Sequence, residues 1–309
     1  MITVGVLEPG VLHEWLREAK PIVVIDVLVD DHFKAVHLPA AQNFCVYEIV
    51  FLENIAKSIP DKDQEIVVYG SGERSLEAKT SAEKLINAGY RKVHVLRGGL
   101  TGWKASGYAV EGEDVAVLDR AEPTLPLVDG RYAVDTGQSI IHWFGRNKNT
   151  IHRGTLNLSA GELIFKNGEP TGAFEIDMTS IKDIDLEGDP LQPQLVAHLK
   201  SEDFFFVKMF PRASFTITSA TQIEEVPSSL HNFSVRGVFE LRGTRNDLAF
   251  LATASSLQDG EAKIEAHFDI DRTQWGVLYG SSKFFEHLGY HLVYNPISIQ
   301  ICLLVRLKI

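Results

Sequence analysis

Cysteine is almost missing from this chain: Cys45 and Cys302 are the only two in 309 residues. That excludes a disulfide framework and any cysteine-based zinc pattern. Positive charge is also scarce, with 30 Lys and Arg against 41 Asp and Glu and a formal net charge of -11. No basic run compensates, so a phosphate-gripping surface is not expected and nucleic acid is set aside as a partner. Long apolar runs are absent as well. The strongest, FFFVKMF at 204–210, is broken by Lys208, well short of the ~18 apolar residues that suggest a membrane span. The opening MITVGVLEPGVLHEWLREAK has no apolar stretch of signal-peptide type, so the expected location is cytoplasmic.

What is present is ordinary globular composition, 45% hydrophobic and 23% charged, at a length that suits about two domains. The hydrophobic period changes along the chain. PIVVID (21–26), EIVVYG (65–70) and KVHVL (92–96) are continuous apolar runs, as in strands covered on both faces. Between the last two, Ser75–Ala88 sets Leu76, Ala82, Leu85 and Ile86 on one helical stripe, and Gly89 follows at a C-cap position. A first helix is expected near Val11–Ala19, with Leu12, Trp15 and Leu16 on its apolar side. This alternation predicts an α/β domain with a mostly parallel sheet over residues 1–112.

The segment 113–131 is acidic, contains Pro123 and Pro126 and reads as a linker. Over 132–309 the period becomes two. Ile264, Ala266, Phe268 and Ile270 share one strand face, and Ile297, Ile299, Ile301, Leu303, Val305, Leu307 and Ile309 share another. Turns are expected at SAGE (159–162), KNGEP (166–170), LRGTRND (241–247) and LQDGE (257–261), with one helix near Pro193–Phe205. Many antiparallel strands at this spacing predict a sandwich or closed barrel.

The first half carries VVIDVL (23–28), HLPAAQN (37–43), VVYGSGERS (67–75) and VLRGGLTGW (95–103) in order. In this it resembles a rhodanese domain. The resemblance implies a cysteine at the start of the loop after the VVY strand, its anion held by loop amides and a helix N-terminus. One alignment puts Gly70 there and the other Tyr69; neither supplies a thiol. The domain is therefore expected to be catalytically silent. Gly70, Ser71, Gly72, Glu73, Arg74 and Ser75 remain as a degenerate loop that either presents amides and Arg74 to an anion or only makes the strand-to-helix turn. Cys45 follows a different loop and is expected to be a small packed residue.

The second half carries YAVDTGQSIIHWFGR (132–146), HRGTLNLSAGEL (152–163), AFEIDMTSI (173–181), HLKSEDFFFVKMFPRASFTI (198–217), FSVRGVFELRGTR (233–245) and FDIDRTQWGV (268–277). It resembles the YceI-like family of lipocalin-like barrels. That resemblance implies an antiparallel barrel around an elongated apolar cavity for isoprenoid, quinone-like or fatty-acyl chains. The aromatic residues Trp143, Phe204, Phe205, Phe206, Phe210, Trp275, Phe284 and Phe285 are the candidates for its wall or mouth.

No catalytic set emerges. His287 and His291 stand at i,i+4, where a helix would let both face one metal with Glu286 or Glu265. Gly289 and the lack of an HExxH pattern weigh against this, so neither metal nor cofactor is expected. Asp269 and Asp271 share a strand face, and the adjacent Arg272 makes a turn-stabilising ion pair the simpler reading. The expected function is non-enzymatic binding, carriage or sensing of a hydrophobic small molecule, with the degenerate module serving recognition or architecture. Two alternatives stay open: a sulfurtransferase-related enzyme using an unconventional thiol or external sulfur carrier, and an interaction module whose barrel is filled by its own side chains. The sequence assigns no oligomeric state.

Overall fold

The computed structural model describes residues 4–114, 127–224, 226–227, 229–257 and 260–308. The chain divides into two compact units, Met1–Pro123 and Thr124–Ile309. Of the expected linker, residues 115–126 lie outside the described residues, as do 258–259 of the LQDGE turn and Ile309 at the end of the last alternation.

The first unit runs β1 (Gly5–Leu7), α1 (Pro9–Arg17), β2 (Ile22–Asp26), α2 (Asp30–Ala35), β3 (Ala41–Asn43), α3 (Phe51–Ser58), β4 (Glu65–Tyr69), α4 (Glu77–Asn87), β5 (Lys92–Leu96) and α5 (Gly99–Ala105). Its strands pair in parallel in the order β1-β5-β4-β2-β3. Alternate residues supply two separate cores. Ile25, Ile66 and Val68 pack with Phe51 and Ile55 of α3 and Ala82 and Leu85 of α4. Val24, Val67 and Tyr69 pack on the other face with Leu12 of α1 and Leu100 and Trp103 of α5. Burial on both faces is why these strands carry unbroken apolar runs.

The helix expected at Ser75 begins instead at Glu77, because the Ser75 hydroxyl donates to the Gly72 carbonyl at 3.0 Å and closes a turn there. It ends as the sequence suggests. Gly89 adopts a φ of 95°, and the amides of Gly89 and Tyr90 bond back to Ile86 and Leu85.

The second unit comprises β6 (Gly130–Val134), β7 (Ile140–Arg146), β8 (Ile151–Lys166), β9 (Glu169–Asp183), α6 (Leu191–Lys200), β10 (Arg212–Gln222), β11 (Phe233–Leu241), β12 (Thr244–Ser256), β13 (Glu261–Asp271) and β14 (Pro296–Leu307). All its pairings are antiparallel, and β14 joins β13 to β6 and β7. Both β6 and β7 also pair with β8, so they are two halves of one stave. The result is a closed eight-stave barrel, a size that leaves room for packed side chains or one small ligand.

Two expected turns are hairpin turns. Asn167 and Gly168 (φ 55° and 77°) join β8 to β9, and Arg242 and Gly243 (φ 53° and 73°) join β11 to β12. SAGE is a correction: β8 runs straight through it, with register shifts against β9 on either side of Asn157 and Leu158. Gly161 serves close packing there, since a Cβ would come within 2.5 Å of Val134 Cγ2. Bulges, not a turn, break the alternation at that point. No helix among the described residues is long and apolar enough to cross a membrane.

Candidate functional site: a cavity inside the barrel

Inward-facing residues of a barrel alternate with outward-facing ones along every strand. In this barrel they leave an internal cavity of about 230 Å3, against the roughly 10–15 Å3 by the same measure that admits one water. The barrel is therefore not filled by its own side chains. Ile264, Ala266, Phe268 and Ile270 of β13 and Ile297, Ile299, Ile301 and Leu303 of β14 all line it. Small residues create the space: Ala252 of β12 and Ala266 of β13 lie directly opposite one another and both face the cavity. Phe250 and Phe268 stack at 4.3 Å along the same wall.

Of the aromatic candidates, Trp143, Phe204 and Phe205 line the cavity; Leu195 and Leu199 of α6 join them. The other five lie elsewhere. Phe206 turns away at a φ of 46° and packs on Phe210, which covers Gly243 of the β11–β12 turn. Trp275 is buried, but its indole N–H donates to the Phe239 carbonyl at 2.9 Å, fixing it in a short 3-10 helix, Arg272–Trp275. Phe284 and Phe285 are half-exposed loop residues. Consecutive phenylalanines on a turn point in different directions, so a run of them marks the mouth without all forming the wall. The residues missed by sequence reading were single phenylalanines on alternating strands, such as Phe165, Phe215, Phe233 and Phe250. Period-two alternation was the signal that could have found them.

Four polar side chains enter the wall among the described residues: Arg146, Asn147, His152 and Arg272. Arg272 is fully buried and donates to the carbonyls of Val277, Tyr279, Val293 and Tyr294 at 2.6–3.2 Å. It ties together the loops at one barrel end. Asp271, expected as its ion-pair partner, instead caps the 3-10 helix through Thr273 N–H at 3.0 Å. His152 Nδ1 lies 3.0 Å from Asp185 Oδ2, and the Arg153 amide donates to Asp185 Oδ1 at 2.6 Å. Beside them Asp183 is buried; burial, reinforced by the Asp185 carboxylate, raises its pKa above the ordinary range. The Trp143 indole N–H is also buried, with no partner among the described residues.

His287 and His291 do not form the helical pair considered above. The segment is irregular, with a 3-10 turn only at Gly289–His291 and a φ of 55° at His287. His287 is almost fully exposed, and His291 Nδ1 lies 3.0 Å from the Tyr279 hydroxyl. Glu265 of β13 stands opposite Cys302 of β14 and is held by Lys263 at 2.9 Å.

In the α/β unit the degenerate loop is closed on itself. The Gly70 carbonyl accepts from Leu100 N–H at 2.9 Å, and the Ser71 carbonyl accepts from the Thr101 amide and hydroxyl at 3.0 and 2.8 Å. Glu77, in the first turn of α4, folds back over Gly70, where a Cβ would lie 2.9 Å from its Oε2. Ser71 Oγ donates to Glu77 Oε1 at 3.3 Å. A carboxylate of the chain thus occupies the space beside the position where the rhodanese resemblance calls for a thiol. Glu73 and Arg74 are exposed, while Ser75 bonds back to Gly72. Tyr69, the alternative position, is fully buried and accepts from Leu38 N–H at 3.0 Å. Cys45 is buried.

A closed antiparallel barrel around an apolar cavity defines a hydrophobic-ligand-binding barrel. The sequence family model of the YceI-like domain matches residues 132–303, and the chain belongs to that family. A rhodanese-like domain matches residues 8–106. No curated protein is significantly similar to the chain. Among solved structures, the chain is similar to BcnA of Burkholderia cenocepacia at 18% identity, covering 55% of this chain and 98% of that one, with a TM-score of 0.44. It is similar to a polyisoprenoid binding domain from Saccharophagus degradans implicated in plant cell wall breakdown, at 12% identity over 57% and 98%, TM-score 0.40. A Bacillus halodurans protein is 26% identical over 35% and 77%, TM-score 0.33.

Proposed function

We propose that this chain is a non-enzymatic binder, a carrier or sensor, of a slender hydrophobic molecule such as an isoprenoid, quinone-like or fatty-acyl chain. The observation that carries the reading is the apolar cavity inside the barrel. Its walls give water almost nothing to bond to, so an apolar chain gains by entering. At about 0.8 kcal/mol per buried methylene, ten methylenes contribute roughly 8 kcal/mol before ordering costs. Trp143, Phe204 and Phe205 line the cavity together with strand phenylalanines such as Phe165, Phe215, Phe233 and Phe250.

In this reading residues 1–112 form a catalytically silent rhodanese-like module for recognition or architecture, 113–131 connect, and 132–309 bind. The carboxylate of Glu77 beside Gly70 supports the silent assignment, since it repels an incoming anion where the fold would otherwise attract one. Titrating the delipidated full chain with palmitate and with farnesol, read by tryptophan fluorescence, tests the proposal. Saturable one-to-one binding of either is expected. Linear, unsaturable signals with both would refute it.

A further inference from the structure

One end of the cavity is polar, and its polarity is not balanced. His152 of β8 lines the cavity, and its neighbours Asp183 and Asp185 follow on β9 and just beyond it. One ring nitrogen of His152 and one carboxylate oxygen from each aspartate lie within 4.8 Å of one another. Asp183 is 3% exposed. Its Oδ1 accepts from Leu186 N–H at 2.9 Å, but its Oδ2 is buried and meets no donor among the described residues, with the Asp185 carboxylate beside it. A buried, unpartnered carboxylate oxygen is costly unless a proton or a cation meets it.

The backbone explains why the three side chains converge. Gly154 of β8 stands opposite both Trp143 of β7 and Asp183. A Cβ there would lie 1.7 Å from the Lys182 carbonyl and 2.5 Å from the Trp143 ring. The missing side chain lets the indole fold over the strand while the β9 end closes in from the other side. His152 and Asp185 remain partly accessible, at 28% and 21% side-chain exposure, so an ion has a route in.

We propose that His152, Asp183 and Asp185 bind one divalent first-row cation of the zinc or manganese kind at the polar end of the cavity. One imidazole and two carboxylates are a mixed nitrogen and oxygen set, which suits such cations better than calcium or magnesium. Three protein ligands leave coordination positions open, and with His152 on the cavity wall these lie at the lumen's edge. The site stands on these residues alone and does not depend on what fills the apolar part of the barrel.

The test uses the full chain, stripped with a chelator and titrated calorimetrically with ZnCl2, MnCl2 and CaCl2. One equivalent of zinc or manganese is expected to bind, at least tenfold tighter than calcium. His152→Ala and Asp185→Asn should each weaken binding at least tenfold while circular dichroism shows the fold intact. Should His152→Ala fail to fold, Asp185→Asn carries the test alone, because an asparagine oxygen still accepts from Arg153 N–H. No stoichiometric uptake of zinc or manganese, calcium binding equally tightly, or zinc binding that survives substitution in a folded variant would each overturn the proposal.

Discussion

The two units of this chain treat their interiors in opposite ways. The α/β unit fills its core on both sheet faces with large side chains, Trp103, Tyr69, Tyr90 and Phe51 among them. It even covers its one ancestral-looking anion loop with Glu77. The barrel leaves its centre open, with alanines opposite one another where larger residues would meet. Packing to full density is the default for a stable interior. A maintained void fits the binding proposed for the barrel, and a plugged loop fits the silence proposed for the other unit.

The largest expected effect isolates the barrel. Arg272→Ala leaves four carbonyls at the barrel end without their donor and should cost about 3 kcal/mol or more. In a denaturant titration only the barrel's transition should move. A matching shift in the α/β transition would break the separation between the units.

Next comes the void itself. Ala252→Phe with Ala266→Phe, on two neighbouring staves, projects two rings into the cavity and should weaken palmitate or farnesol binding at least about tenfold, with little loss of stability, since a cavity absorbs added volume. Unchanged affinity would mean that the ligand sits elsewhere.

A smaller effect concerns the plugged loop. Gly70→Cys alone should alkylate slowly, because Glu77 disfavours the thiolate beside it. Adding Glu77→Ala should speed iodoacetamide labelling by about tenfold. Equal rates in the two variants would show that Glu77 does not guard the loop.

The smallest is a pH slope. Asp26 is fully buried, and burial raises its pKa against the opposing influence of Tyr69 and the Leu28 amide. As pH rises, the unfolded chain loses this proton first and the folded chain later. The Asp26 contribution to the stability of the α/β unit should thus be greatest below the ordinary carboxylate range and fall as pH climbs through the raised value. Asp26→Asn should flatten that fall, as read from denaturant midpoints at a series of pH values.

Much of this was legible in the sequence, and the rest had physical reasons to be hidden. Continuous apolar runs in one half and strict alternation in the other announced the two folds, because strand burial on two faces or one leaves a direct trace. The alternating residues of β13 from Ile264 to Ile270 and of β14 from Ile297 to Leu303 are cavity wall. Sequence could assign them to a face, but a void is a property of facing volumes, and Ala252 meets Ala266 only through tertiary pairing. Aromatic content alone does not mark the wall: a left-handed turn at Phe206, its packing on Phe210 and the indole hydrogen bond of Trp275 aim these three elsewhere. The cluster of His152, Asp183 and Asp185 was invisible for the same reason: about thirty residues separate His152 from the two aspartates, and strand register unites them.

The central claim is that the barrel's interior holds a hydrophobic guest. Native and denaturing mass spectra of the purified full chain, with an organic extract analysed alongside, test it most directly. A mass excess in the native spectrum that disappears on denaturation, matched by a lipid-like species in the extract, is the predicted result. Identical masses, an empty extract and no uptake when the chain is incubated with palmitate or farnesol would contradict it.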